Sequence, residues 1–263
     1  MALTGPGGPS TGPPGPLSTG GRAPSPPRVR LLEEDPGLGA GLSPEQFEHA
    51  RRFAVAEVVE VGRGLHEPSV IGSSEMLGVL VLDGLMIRGV VVAERHCGEL
   101  VTAGALLRPW DHFGHAAPMP FEVHWRVIQP VRLALLDRRV TLVCARWPPL
   151  VHELMRRAME RAHTLALMAA IHSLQHVEVR LLVLMWHLAD RFGRVTPEGT
   201  VIPLRLTHRD LAELVGSQRP SVSANLIKLS REGVLSRRSD RSWLLHGDPP
   251  DELQDRRLRL PGE

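Results

Sequence analysis

Apolar residues recur along this chain with two different periods, and the change of period divides it. Near the C-terminal end the period is helical. Leu211, Leu214 and Val215 fall at i, i+3 and i+4, and Val222, Leu226 and Leu229 at i, i+4 and i+7, which predicts two short amphipathic helices. Thr207 is placed to cap the first helix, with Asp210 three residues on, close to a capping box. Gly216 permits the left-handed backbone that ends it, and Ser217 is placed to cap the second helix. Two short helices joined by a glycine turn make a helix-turn-helix, whose second member fits the major groove of DNA.

Downstream the period changes to that of strands. Gly233 closes the second helix, residues 234–238 read as a strand, Ser239-Asp240-Arg241 as a polar turn, and residues 242–245 as the returning strand. Arg237, Arg238 and Arg241 cluster near the tip of this wing, where phosphates would meet them.

Upstream, Ser43-Pro44-Glu45-Gln46 combines a cap, a proline at the first helical position and a capping-box glutamine, so a helix is expected to about Ala54. The period then shortens to two. Residues 55–61, 69–71, 77–82, 85–92, 99–101, 106–107, 125–128 and 131–136 read as short strands, with Asp83-Gly84 as a tight hairpin between two of them. Many short strands separated by turns predict a jelly-roll or similar closed β structure. Trp147-Pro148-Pro149 breaks that pattern. From there Leu154, Ala158, Ala162, Leu165, Ala169 and His172 follow a helical period, as one long helix that covers its own β domain, pairs with its copy, or does both. Residues 177–192 make a further helix, and 193–203 a loop or small hairpin.

The expected organisation is α+β: a Gly/Pro-rich tail over 1–28, a β-roll over 29–149, a dimerisation helix over 150–176, a winged helix-turn-helix over 177–247, and a tail over 248–263. The formal charge of the 263 residues is only +2, so bulk charge does not announce a polyanion partner. Between residues 177 and 247, however, eleven Arg or Lys face seven Asp or Glu, a local excess of four. Two cysteines, Cys97 and Cys144, make no disulfide framework and cannot supply a four-thiolate cluster, which points to a reducing cytoplasm. No run of about eighteen apolar residues spans a membrane, and no secretory signal pattern opens the chain.

The stretch from Leu206 through Leu229, with Ala212, Gly216, Val222 and Leu229 in place and Gly233 before a short hairpin, resembles the winged helix of the Crp/Fnr family of bacterial transcription regulators. The order of β-roll, long helix and winged helix over roughly residues 30–247 extends the resemblance to most of the chain. It implies a homodimer joined through residues 150–176, double-stranded DNA as partner, and RNA polymerase as a further partner the family admits. Cyclic-nucleotide-binding members carry a Gly-Glu pair after the strand near Gly104 and an arginine further on. Here Arg108-Pro109-Trp110 replaces the first and Phe121-Glu122-Val123 the second, so the resemblance does not extend to cyclic-nucleotide binding. Arg108 and Trp110 remain as candidates for lining an altered ligand pocket, or as a loop packed on the roll.

In that family an arginine near the start of the second helix reads bases. Arg219 keeps that position and suits guanine O6 and N7 bidentately. Pro220 and Ala224 stand where the other usual readers do. Gln218, Ser221, Ser223 and Lys228 complete the outward face, and Thr207, His208, Ser217, Arg237 and Arg238 are assigned to the DNA contact as well. Two rival readings remain: a small-ligand or haem/metal-sensing binding module of the same architecture, and a metal-dependent cupin-like enzyme built around His112, His115 and His124. Against the latter, neither a nucleophile–base pair nor a phosphate loop is present in the sequence, and no cofactor or metal is required by the main reading.

Overall fold

The computed structural model describes residues 26–67, 76–108 and 121–249. The expected strand over 69–71, Trp110, His112 and His115 lie outside them, as do residues 1–25 and 250–263 of the two tails. A first strand, β1 (Arg28–Arg30), leads through a short helix α1 (Leu31–Glu34) and a 3-10 turn to α2 (Pro44–Phe53). The Ser43 side chain accepts from the Gln46 amide and Gln46 returns the bond, so the predicted capping box is formed. Strands β2 (Val55–Val61), β3 (Gly64–His66), β4 (Gly78–Val92), β5 (Arg95–Thr102), β6 (Leu106–Leu107) and β7 (Glu122–Leu136) follow. They form an antiparallel sheet in the order β1-β2-β7-β4-β5, with β3 also on β7 and β6 on β4.

Two expectations about the roll need correcting. Asp83-Gly84 is not a hairpin: β4 runs straight through it, and the register against β7 shifts between Val81 and Met86 as a bulge does. Gly84 has φ +100, and a Cβ there would lie 2.2 Å from the Pro130 carbonyl oxygen, so the glycine serves a close approach of two strands. The tight hairpin falls instead at Ala93-Glu94, where both residues take positive φ between Val92 and Arg95. Likewise residues 125–128 and 131–136 are one strand, β7, and Pro130 sits opposite the β4 bulge where the ladder is already interrupted.

After β7 the chain turns into α3 (Arg138–Arg146), capped by Asp137 accepting from the Val140 amide. The long helix α4 (Pro148–Ser173) opens on the predicted prolines. Helix α5 (Val177–Phe192), a hairpin of β8 (Arg194–Thr196) and β9 (Gly199–Ile202), α6 (His208–Leu214), α7 (Arg219–Arg231), β10 (Leu235–Arg237) and β11 (Trp243–Leu245) complete the chain. The wing is larger than predicted, because β11 also pairs with β9 in a sheet of order β10-β11-β9-β8.

Three apolar clusters hold these parts together. One fills the roll from Val79, Val81, Met86, Trp125 and Leu133, and a second packs α1, α2, α3 and the start of α4 on the roll's flank. The third joins the buried faces of α5, α6, α7 and the wing to Met168 and Ile171 of α4 and to Leu85 and Ile87 of β4. The winged part therefore shares a core with the roll and the long helix. That corrects the expected stripe on α4: Leu154 is buried in its own protomer's core and His172 turns onto α6. Among the apolar positions left facing outward, Val151, Met155, Met159, Ala162, Ala166 and Ala169 repeat at 4, 4, 3, 4 and 3 residues, and Leu165 and Ala170 beside them are exposed as well.

Candidate nucleic-acid interface

Helices α6 and α7 and their turn are built by local chemistry that the sequence displays. Thr207 caps α6, accepting from the Asp210 amide while the Asp210 carboxylate accepts from the Thr207 amide. Gly216 takes φ +60, and the Ser217 amide donates back to Ala212 at 2.9 Å, so a Schellman turn closes α6. Ser217 does not cap α7; the cap position falls on Gln218, which makes no side-chain capping bond, and Pro220 lies within the first helical turn. The turn is clamped from outside as well. Arg180 on α5 donates to the Val215 carbonyl at 2.8 Å, and His172 Nε2 donates to the Leu214 carbonyl at 2.7 Å. Cations and donors at a helix C-terminus satisfy its orphan carbonyls.

Between the helices, His208 Nδ1 and Ser223 Oγ meet at 2.9 Å, and the His208 ring lies beside Trp243. Burial, then the charges of Arg237 and Arg219, push the His208 imidazole below its ordinary value. Trp243 is buried beneath the wing, donates its indole N–H to the Leu206 carbonyl at 3.2 Å, and carries the Arg237 guanidinium 5.3 Å above its ring. Arg237 is thereby held beside the start of the winged part's outer face.

The residues assigned to DNA from sequence fall into three groups. Gln218, Arg219, Pro220 and Ala224 are exposed at the start and first turns of α7, and Arg219 has no ion-pair partner among the described residues. Ser221, Ser223 and His208 are half-buried, and the last two spend their polar atoms on each other. Lys228 and Arg238 are exposed but paired, Lys228 with Glu178 at 2.6 Å and Arg238 with Glu198 at 2.9 Å. Thr207 is exposed but occupied in its capping box, and Ser217 is half-buried in the turn. Sequence reasoning passed over Arg205 and Arg209, which are exposed around the first turn of α6 on the same part of the chain.

A separate cleft of about 460 Å³ lies between the roll and α4, lined among others by Glu99, Gly104, Arg156, Arg157, Arg161 and Arg191. Glu99 is buried at its wall, taking Arg161 through both carboxylate oxygens at 2.7 and 2.8 Å and Arg88 at 3.1 Å. Arg157 pairs with Glu153 on its own helix and bridges from α4 to Asp35. Arg108, which sequence placed in a ligand pocket, is exposed and does not line this cleft. Of the histidines considered for a metal, His124 is the one among the described residues, and its Nε2 is engaged by Glu213.

The chain thus sets out, in order, a β-roll, a long helix with an outward apolar stripe, and a two-helix unit ending in a basic wing. The model of the Crp-like helix-turn-helix domain matches residues 179–251. Among solved structures, the fold is similar to a CooA mutant from Carboxydothermus hydrogenoformans, at 16% identity and a TM-score of 0.60, over 79% of this chain and 90% of that one. It is similar to the c-di-GMP responsive global regulator CLP of Xanthomonas campestris, at 18% identity and a TM-score of 0.53, over 73% and 95%. FixK2 from Bradyrhizobium japonicum follows at 14% identity and a TM-score of 0.54, over 73% and 93%. No curated protein sequence matches significantly. Residues 179–251 thus form a Crp-like helix-turn-helix domain, and the fold of most of the chain is similar to that of these proteins. Among the described residues no helix is long and apolar enough to cross a membrane.

Proposed function

We propose that this chain is a homodimeric transcription regulator that reads a two-half-site operator with the N-terminal turns of α7. The observation that carries the reading is the arrangement around Arg219. It stands exposed, without an ion-pair partner among the described residues, at the start of a helix whose opposite face, Val222, Leu226 and Leu229, is buried, and it acts on His208 together with Arg237, which lies over Trp243. A side chain so placed reaches a base edge, while the wing and α6 arginines meet phosphates. The self-partner is supported by the outward stripe on α4, which repeats every three or four residues over the 26-residue helix and has the period of a coiled-coil seam. Pairing along it sets two α7 helices on successive major grooves, about 34 Å apart. RNA polymerase is the partner such a regulator addresses when bound beside a promoter.

A small effector fits the cleft between roll and α4, because that cleft is walled by the ion pairs that join the two. A ligand that took Arg161 from Glu99 would shift the long helix against the roll, and so bias the winged parts.

The test is selection of bound duplexes from a random pool by the full-length chain. Enrichment of paired half-sites with a guanine in each is the expected result. A pool that stays random in sequence while the protein is folded contradicts the function.

A further inference from the structure

We infer that Glu213 is a positioning residue through which the roll fixes the direction of the DNA-reading helix; the inference rests on the DNA-reading function proposed above. Glu213 is the penultimate residue of α6, three residues before the turn glycine, and its side chain is buried. It accepts from His124 Nε2 at 2.7 Å and from Arg126 Nε at 2.8 Å, and both donors stand on β7 of the roll. Arg126 Nε lies also 3.9 Å from Asp210, one helical turn earlier on α6. A buried carboxylate deprived of its arginine and its imidazole donor is strongly disfavoured, so the contact holds helix against strand.

The roll is shaped to receive this helix. Gly89 and Gly98 face each other across β4 and β5, and neither has the positive φ that would require glycine for its backbone. What they supply is room. A Cβ on Gly89 would stand 2.3 Å from the His124 ring and 2.5 Å from Glu213 Oε1, and one on Gly98 would stand 3.0 Å from the Glu213 carbonyl oxygen. Paired glycines thus make a flat place on the sheet where α6 lies directly on strand backbone.

Holding α6 holds α7. The two helices are joined by the short turn at Gly216, bonded through His208 and Ser223, and packed in one core. The other clamps on the turn, from His172 and Arg180, grip backbone carbonyls and belong to α4 and α5. Among the described residues, Glu213, with Asp210 farther from the same arginine, ties the reading unit to the roll by charge. Two reading helices can select one half-site spacing only when each is fixed relative to its own protomer. Each base pair of altered spacing turns a half-site by about 35° around the duplex axis. Loosening Glu213 therefore relaxes the choice of spacing while leaving the half-site sequence as it was.

The experiment uses the full-length chain and the operator it recovers from a random pool, resynthesised with one or two base pairs added to or removed from the centre. Wild type is compared with Glu213→Gln and, from the roll side, with Arg126→Gln and Gly89→Ala, whose substitutions leave α6 unchanged. Wild-type affinity is expected to fall by about tenfold at the first mis-spaced operator, and that of the variants by less than about threefold. Affinity for a single half-site stays equal in all four. Variants with the wild-type spacing profile overturn the inference, and so do variants that lose single half-site binding in parallel, since Glu213 would then only support the fold. A wild-type chain that enriches no paired half-sites overturns the DNA-reading function, and this inference with it.

Discussion

Lys228 on the reading helix donates to Glu178 in the first turn of α5 at 2.6 Å, with Glu232 3.9 Å away on its own helix. On the DNA-reading function proposed above, that exposed cation meets a phosphate, so in the free protein an internal carboxylate occupies the place the phosphate would take. The pair is exposed, and exposed pairs are weak. Glu178→Gln should therefore raise affinity for every duplex alike by about two- to fivefold. Titrations of operator and random DNA at several salt concentrations check this; a gain confined to the operator would remove Lys228 from the phosphate contacts.

Arg219→Ala should lower discrimination at one base pair per half-site by about 1–3 kcal/mol, because a bidentate contact to guanine is lost. Arg238→Ala should instead weaken all sequences equally and reduce the salt dependence by about one phosphate. Competition between operator and single-base variants separates the two. Equal losses from both substitutions would deny Arg219 a reading role.

Met159 is 64% exposed in the middle of the outward stripe on α4. Met159→Glu removes little packing within the protomer, so the protomer should stay folded, with a thermal midpoint lowered only by the loss of its partner, while two seam positions become charged in the pair. Sedimentation should then show a shift from dimer to monomer, with operator affinity falling to that of one half-site. A variant that remains dimeric places the interface elsewhere.

The Arg156 guanidinium, with Arg157 beside it, holds the Glu153 carboxyl down to about 2, well below the usual carboxylate range. A carboxyl lowered on folding adds stability that is complete above its unfolded value and is lost as protons return. Stability should thus decline as pH falls from about 4.5 towards 2, and Glu153→Gln should flatten that decline. Thermal melts of the two proteins across this range check it. Parallel acid limbs would mean that the arginines do not hold Glu153 in solution.

The winged helix was legible because its signals are local. The capping box at Thr207, the turn at Gly216 and the spacing of Val222, Leu226 and Leu229 each act within a few residues, and all are found in place. The roll was legible in kind but not in detail. Asp83-Gly84 carries a hairpin signature, yet the close approach of Pro130 turns the same glycine into a bulge in an unbroken strand. The true hairpin at Ala93-Glu94 contains neither glycine nor asparagine, so turn chemistry does not announce it. Helix α3 could have been found from the Asp137 cap and the Val140–Cys144 spacing. The seating of α6 on the roll could not, because His124 and Glu213 are 89 residues apart and Gly89 and Gly98 look like ordinary strand interruptions. The stripe on α4 was legible in part: Ala162, Leu165 and Ala169 face outward as expected, while Leu154 and His172 turn inward. Leu154 and Met159 have the same apolar character, and only the roll's position decides that the first faces inward and the second outward.

Hydroxyl-radical footprinting of the full-length chain on its selected operator tests the central claim most directly. Two protected stretches on one side of the duplex, centred about 34 Å apart and each covering the guanine whose discrimination Arg219→Ala abolishes, are the predicted result. Protection of a single stretch, or a footprint that Arg219→Ala leaves unchanged in sequence preference, would contradict it.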